Sequence, residues 1–290
     1  MFYVRIPFLH LDDIYNSNQC VRWIKITDGK YLIQSGNDVV KVTENTNSRF
    51  LFDCSEDEFF SKWFDYFDLK RDYSRMNWVL KNLDDEVKIA ANRNKGLRIV
   101  KVPLFESIIY SCIKSLFSVD RSRMAVDSIA KSCGVKHVQA FKESGKLIWH
   151  EFPSPETILE NEFSLDNKML MHQKDNIISI CKDIVSGWLD LDYLQRLTCS
   201  YEDAYNYLIQ FDYLNDWAVK FICLSSLGFI NLFLLDKHTN KFFKKMDIPY
   251  IDFKDWYMDD EARAYSGLLS QYIWSNEVNP PRRLEKWMLE

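Results

Sequence analysis

Apolar and polar residues alternate in short runs near the start of the chain. The runs VRWIKI, YLIQ, VVKV and RFLF follow one another between residues 19 and 54, separated by the turn segments TDG and SGND. Alternation with a period of two is typical of strands with one covered face, and short polar or glycine-containing breaks are typical of hairpins. This part of the chain therefore predicts an antiparallel sheet.

The apolar period changes after Ser55. Three acidic residues follow this serine, and Phe59, Phe60, Trp63, Phe64 and Phe67 then recur at helical spacing. Two further helices are predicted at 73–83 and 84–92. Gly96 and Pro103 then interrupt the pattern, which places a domain boundary near 102/103.

Helical patterns dominate the remaining sequence. Helices are predicted at 104–117, 120–133, 154–160, 172–186, 190–197, 200–210, 216–227, 237–245 and 259–275. The predicted fold class is α+β. A small N-terminal antiparallel β-sheet domain with linking helices (1–102) precedes a larger all-α domain (103–290), which carries a helical hairpin near 200–238.

Composition alone does not indicate a nucleic-acid-binding protein. The 290 residues include 37 Lys and Arg against 42 Asp and Glu, a net charge of −5. Basic residues cluster at 88–101, 241–245 and 282–286, but such clusters are more often solvated faces than phosphate-binding surfaces. The aromatic content of 15% indicates a well-packed globular protein.

Cysteine usage argues against disulfides and metal clusters. The seven cysteines are scattered and form no CxxC pair, which indicates a reducing compartment and no metal site or cofactor. The N-terminus lacks the apolar core of a signal peptide, and the apolar run 221–235 is too short to span a membrane. We expect a cytoplasmic protein without membrane contact.

Asp236 is the first candidate for chemistry. This carboxylate ends an apolar run, FINLFLLD, where an ionised group is rarely placed without a partner or a function. The alternative is that Asp236 only caps the following helix. The sequence leaves both interpretations open at this point.

Several short segments resemble the helix-hairpin-helix DNA glycosylases, in particular the 8-oxoguanine DNA glycosylase and bacterial 3-methyladenine DNA glycosylase II branches. The segments are CVRW at 20–23, YFDL and RDY at 66–73, FE at 105–106 and SYEDA at 200–204. The resemblance spans nearly the whole chain and identifies a divergent member. It implies a helix-hairpin-helix glycosylase fold for the helical domain, DNA binding, base flipping and base excision.

The resemblance also implies residue roles in the hairpin region. Asp236 matches the family's catalytic acid, and Trp217 lies where the bifunctional enzymes have their Schiff-base lysine. Tryptophan there implies a monofunctional, hydrolytic enzyme without lyase activity, whereas Lys220, one turn away, is a weaker alternative nucleophile. Phe221 and Tyr265 match positions of the base pocket, and Trp217 is the third residue expected near the flipped base.

Other matches concern DNA contacts. Leu116, with Phe117 and Ser118, resembles the loop whose leucine fills the gap left by the flipped nucleotide, although ordinary core packing is the alternative. Asn215 and His238 are further candidate contacts; Asn215 could adopt the left-handed conformation in a turn that lacks the family's glycines.

The implied partner is double-stranded DNA with a modified base, bound by a monomer. The base is an alkylated or oxidised purine in DNA repair, or a hypermodified base of phage DNA in phage defence. The rival prediction is a catalytically silent DNA-binding or sensing module, which the glycine-free hairpin favours. A bifunctional glycosylase/lyase is the third alternative.

Overall fold

A five-stranded antiparallel sheet forms the first part of the chain. In the computed structural model, which describes residues 1–17, 19, 22–114, 118–141, 145–165, 170 and 173–279, the strands lie in the order β1-β5-β4-β3-β2. Their bounds are β1 (Phe2–Arg5), β2 (Trp23–Thr27), β3 (Lys30–Ser35), β4 (Asp38–Asn45) and β5 (Arg49–Phe52). The predicted hairpins are confirmed.

Aromatic side chains cover the inner face of this sheet. Phe52 packs edge-on against Phe59 and Phe67, with ring centroids 4.9 and 5.8 Å apart. The covering segment is helical from Glu56 to Tyr66 and contains a π-helical turn. Its bounds and those of its neighbours are α1 (Leu11–Asn16), α2 (Glu56–Glu58), the π turn (Phe59–Trp63), α3 (Phe64–Tyr66), α4 (Tyr73–Leu80) and α5 (Asp85–Arg93).

The second part of the chain is mainly helical. Its helices are α6 (Leu104–Lys114), α7 (Val119–Cys133), α8 (Pro155–Glu160), α9 (Lys174–Val185), α10 (Leu191–Arg196), α11 (Tyr201–Leu208), α12 (Asp216–Ser225), α13 (Lys237–Lys245), α14 (Tyr250–Tyr257), α15 (Asp260–Ala264) and α16 (Ser266–Val278), with 3₁₀ turns at Glu162–Leu165 and Leu197–Cys199. The predicted α+β class is confirmed. The described helices include none that is both long and apolar enough to cross a membrane.

The second part contains one strand pair that the sequence pattern does not predict. Strands β6 (Lys136–Phe141) and β7 (Gly145–His150) form an antiparallel hairpin after α7. The sequence KHVQAF alternates weakly and carries charges, so the pattern resembles a polar loop. The first part also has a short helix, α1, that the sequence pattern does not predict.

The division of the chain at 102/103 remains a prediction. Residues of α4 and α5, assigned to the first domain from sequence, pack in the core of the helical part, whereas Val100 and Val102 pack under the sheet. The YFDL segment belongs to the core under the sheet through Tyr66 and Phe67. Asp68 has φ +50°, and its carboxylate accepts hydrogen bonds from Arg71 at 2.7 Å and from the Tyr73 hydroxyl at 2.8 Å. This family-like motif fixes the turn that joins the cores.

A buried ion pair also joins the two parts. Arg22 Nη1 donates to Glu106 Oε1 at 2.8 Å, and both side chains are about 95% buried (5% and 6% exposed). The same carboxylate oxygen accepts the Gly36 backbone N–H at 2.8 Å, while Arg22 Nη2 donates to the His150 carbonyl at 2.6 Å. Burial raises the pKa of Glu106, and Arg22 opposes this rise. The pair thus holds the sheet, the start of α6 and the end of β7 together.

We expect Glu106→Gln to destabilise the protein strongly. The substitution leaves the Arg22 cation buried without a counter-charge, and breaking a buried pair on one side costs about 3–5 kcal/mol. Urea unfolding measures the loss. The matched control is Asp127→Asn, which breaks the exposed Lys131–Asp127 pair of α7 and should cost less than about 1 kcal/mol. Equal losses in the two variants would contradict the role given to the buried pair.

Candidate functional site

The helical hairpin consists of α11, a turn at 209–215 and α12. The Leu214 N–H donates to the Phe211 carbonyl at 2.9 Å within the turn. Asn215 does not adopt the left-handed conformation expected for it: its φ is −91°, and its side chain caps α12 by accepting the Ala218 N–H at 2.9 Å. The turn is therefore closed without glycine and without positive φ.

Acidic side chains surround the N-terminus of α12. Asp212 is exposed, and Asp216 lies in the first turn of the helix. The Asp216 carboxylate accepts from the Tyr205 hydroxyl at 2.9 Å and pairs with Lys220 at 2.8 Å. Since these carboxylates oppose a phosphate at the helix end, the hairpin is a poor anion site. Lys220 is committed to this outer ion pair and does not face Asp236.

Asp236 is the N-cap of α13. Its Oδ1 accepts the backbone N–H groups of His238 and Thr239, both at 2.9 Å, and the Thr239 hydroxyl accepts the Asp236 N–H at 2.8 Å. This reciprocal arrangement is a capping box. The hydrogen bonds described for the carboxylate end on Oδ1, so Oδ2 can face a ligand. Capping and chemistry are therefore compatible for this residue.

Aromatic rings from α6, α12 and α16 form a group next to His238, two residues after Asp236. Trp217 and Phe221, one turn apart on α12, stack with centroids 5.3 Å apart, and Tyr110 of α6 packs edge-on against Phe221 at 5.5 Å. Trp274 of α16 packs edge-on against His238 at 5.8 Å. We call Tyr110, Trp217, Phe221 and Trp274 the aromatic cage. Two of its members were predicted as pocket residues from sequence.

A lysine that the sequence pattern did not single out occupies the cage. Lys114, the last residue of α6, places Nζ 4.7 Å from the centroid of Trp217, 5.0 Å from Phe221, 5.4 Å from Trp274 and 5.7 Å from Tyr110. The ammonium thus contacts every ring of the cage.

Burial and two neighbouring charges shift the pKa of this lysine. Burial among the rings lowers the pKa of Lys114 to about 7, the charge of Asp236 raises it, and that of Arg123 lowers it further. Arg123 lies on α7, where its guanidinium covers the Tyr15 ring at 4.5 Å. The pKa of His238 is also lowered, mainly by burial. Lys114, Asp236 and His238 therefore share one electrostatic environment.

Tyr265 does not lie at the cage. Its hydroxyl donates to Glu261 at 3.4 Å, and Glu261 pairs with Arg75 of α4 at 2.6 Å. Tyr265 precedes α16 and Trp274 lies nine residues later, a distance of roughly 13 Å along the helix. The residue of α16 that contacts Lys114 is Trp274, and the assignment of Tyr265 to the base pocket stays a prediction.

The remaining predicted contacts are separated from the cage or lie outside the described chain. Ser118 is exposed and is the N-cap position of α7, where its carbonyl accepts the Ser122 hydroxyl at 3.0 Å. The predicted wedge residues Leu116 and Phe117 lie outside the described residues. Among the described residues, no cluster of His, Cys, Asp and Glu side chains has a metal-binding arrangement.

Comparisons with known proteins agree with this architecture. Residues 4–108 match the family described as 8-oxoguanine DNA glycosylase, N-terminal domain. The structure of MBOgg1 in complex with a low-affinity DNA ligand superposes with a TM-score of 0.83 at 22% identity, covering 95% of this chain and 94% of that one. A search of curated proteins gives no significant match.

Two further solved structures share the fold. The Clostridium acetobutylicum 8-oxoguanine glycosylase/lyase in its apo form has a TM-score of 0.79 at 23% identity, covering 94% of this chain and 95% of that one. The 3-methyladenine DNA glycosylase of Archaeoglobus fulgidus has a TM-score of 0.74 at 16% identity, with coverages of 96% and 98%. The common architecture therefore extends over both parts of the chain.

We expect Asp236→Asn to fold as well as the wild type and Asp236→Ala to be less stable by about 1 kcal/mol. Asparagine is an equally good N-cap, whereas alanine leaves the first N–H groups of α13 without an acceptor. Thermal unfolding measures both effects. Asp259→Ala is the matched control, because Asp259 caps α15 through the Ala262 N–H at 2.8 Å. An Asn variant as unstable as the Ala variant would contradict the capping assignment.

We expect Lys114→Met to change the pH dependence of stability. The pKa of Lys114 in the fold, about 7, lies below its ordinary value of 10.5, so the unfolded chain binds this proton more tightly. The lysine therefore costs stability fully below pH 7, and the cost disappears as pH rises toward about 10. The stability advantage of Lys114→Met, measured by urea unfolding, should shrink over this range. A constant difference would contradict the shifted pKa.

Proposed function

We propose that the chain is a member of the helix-hairpin-helix DNA glycosylase superfamily, and that it extrudes a damaged or modified base from double-stranded DNA and cleaves the N-glycosidic bond. Asp236 is the proposed catalytic carboxylate. The observation that carries the proposal is its position: the α13 backbone fixes one oxygen, while the charge of the group acts on a cage lined by Trp217, Phe221 and Trp274.

The chemistry needs a fixed negative charge. Cleavage of an N-glycosidic bond develops positive, oxocarbenium-like charge on the sugar, and a preorganised carboxylate stabilises it without having to reorient. The two backbone N–H groups that hold Asp236 Oδ1 keep the carboxylate in place. This explains why an acid that is also a helix cap suits the reaction.

The aromatic cage supports recognition of an extruded base. Enzymes that act on a base within a duplex rotate the nucleotide out and stack the base between apolar side chains. The stacked pair Trp217 and Phe221 offers such a surface, with Trp274 on the opposite helix. Alkylated or oxidised purines and the hypermodified bases of phage DNA are the substrate classes to test.

The source of the attacking group depends on the amines near Asp236. The hairpin helix supplies none, because Trp217 is not an amine and Lys220 pairs with Asp216. On the evidence of the hairpin, water is the attacking group and the reaction is monofunctional and hydrolytic, as the sequence predicts.

DNA binding through surfaces other than the hairpin is part of the proposal. The acids at the start of α12 disfavour phosphate, whereas Lys237 and Lys244 are exposed on α13, the helix that Asp236 caps. Backbone contacts from α13 would bring the sugar toward Asp236. A catalytically silent DNA-sensing module is the second candidate function, and the acidic hairpin is the observation that favours it.

We expect Asp236→Asn to slow base release at least about 100-fold while duplex binding persists, since the carboxylate acts on the transition state. The assay uses duplexes with alkylated purines, 8-oxoguanine, uracil or glucosylated hydroxymethylcytosine. Asp259→Asn, which keeps the N-cap of α15, serves as the control and should retain wild-type release. Undiminished release by Asp236→Asn would refute the proposed role, and binding without release from any duplex would favour the sensing module.

A further inference from the structure

Lys114 is an amine placed where the hairpin has none. It ends α6, whereas Trp217 occupies the corresponding hairpin position on α12, and the two side chains meet with Nζ 4.7 Å from the tryptophan ring. The lysine reaches the cage from a different helix. Lys114 therefore supplies an amine to the cage, whereas the hairpin has a tryptophan, Trp217, at the corresponding position.

The surroundings of Lys114 suit a nucleophile better than a structural cation. The contacts described for its ammonium are with the ring faces of the cage. The negative charge of Asp236 acts on the same ammonium. An amine attacks only when it is unprotonated, and desolvation in an apolar site favours that form. With a pKa of about 7, Lys114 is substantially neutral at physiological pH.

Lys220, the alternative amine nucleophile, is held in an ion pair on α12. Lys220 Nζ lies 2.8 Å from Asp216 Oδ2, and this pair is exposed on the outer side of the hairpin. This ion pair holds the Lys220 ammonium against a carboxylate of its own helix. The geometry therefore separates an outer, paired lysine from an inner lysine that shares a pocket with Asp236.

We propose that Lys114 is the catalytic nucleophile, which displaces the base and forms a Schiff base with C1′ of the sugar, so that the enzyme is a glycosylase with lyase activity. This inference rests on the proposed function, because it requires a flipped nucleotide between Lys114 and Asp236. Trp274, which contacts both Lys114 and His238, marks the space that they share.

The reaction balances without an oxidant or reductant. The lone pair of Nζ forms the N–C1′ bond, and the glycosidic bond breaks with its electron pair leaving on the base, which takes the proton released by the attacking nitrogen. The C1′–O4′ bond then opens, O4′ takes a proton from water, and a protonated imine remains. Water then removes a C2′ proton, the C3′–O3′ bond breaks with its electron pair leaving on O3′, and the downstream strand departs with a 5′-phosphate end. Hydrolysis of the imine regenerates the amine.

Asp236 keeps its role in this sequence. Its negative charge stabilises the positive charge that develops on the sugar as the base departs. Arg123 acts on the same amine with the opposite sign, since its positive charge favours the neutral form of Lys114. Asp236 therefore stabilises the developing charge, and Lys114 makes the covalent attack.

Borohydride trapping tests the proposal on the intact protein. The probes are the modified duplexes named above and a duplex with a preformed abasic site, whose aldehyde forms an imine without base excision. We expect the wild type to form a covalent adduct that peptide mapping places on Lys114. Lys114→Met and Lys114→Arg should reduce trapping at least 100-fold, whereas Lys220→Met should trap like the wild type.

The pH profile provides an independent readout. Trapping on the abasic duplex should rise about tenfold from pH 6 to pH 8 as an amine with a pKa near 7 loses its proton. Asp236, Arg123 and His238 are the charged or titratable groups near Lys114, so Asp236→Asn should shift the profile to lower pH.

The outcomes separate this inference from the proposed function. Base release without trapping, with strand breakage only after alkali, would overturn the role of Lys114 and leave a hydrolytic glycosylase. Trapping on the abasic duplex without release of any base would support Lys114 while contradicting the proposed excision. Trapping that persists in Lys114→Met and maps to another amine would also overturn the inference. Thermal unfolding of each variant confirms that it is folded.

Discussion

The buried pair of Arg22 and Glu106 is the constraint on which the arrangement of the site depends. Burying two charges is costly, and such pairs persist where additional hydrogen bonds satisfy them, here from Gly36 to the carboxylate and from the guanidinium to His150. Glu106 lies in the first turn of α6. The pair therefore sets the position of the helix whose last residue, about 12 Å further along, is Lys114.

The site itself combines parts of unequal rigidity. Asp236 is fixed by backbone hydrogen bonds, which leave little freedom to the carboxylate. Lys114 is held by ring faces, which constrain a long flexible side chain much less. A fixed anion beside an adaptable amine suits a reaction in which charge must be stabilised in place while a covalent bond forms and breaks. The hairpin supplies the rings of Trp217 and Phe221 to the cage, and the amine of the cage comes from Lys114 on α6.

The sequence predicted the sheet, the fold class and Asp236, because strand alternation and a carboxylate after an apolar run are local signals. It did not predict Lys114 as part of the pocket, since its contacts come from α12 and α16, more than 100 residues away in sequence. Trp274 was not singled out from the sequence for a different reason. Residues 266–277 are buried on all sides of α16, so the apolar pattern does not reveal which face meets the cage. Tyr265 and Trp274 are indistinguishable on that basis.

Two lysines of α13 bind Glu277 and thereby connect α13 to α16. Lys241 and Lys245 both pair with this buried carboxylate of α16, three residues after Trp274. Helices α13 and α16 are thereby clamped, and Asp236 and Trp274 are carried on one body, whereas Lys114 belongs to α6. The position of Asp236 relative to Trp274 is therefore set by these ion pairs, whereas the position of the amine is set by α6.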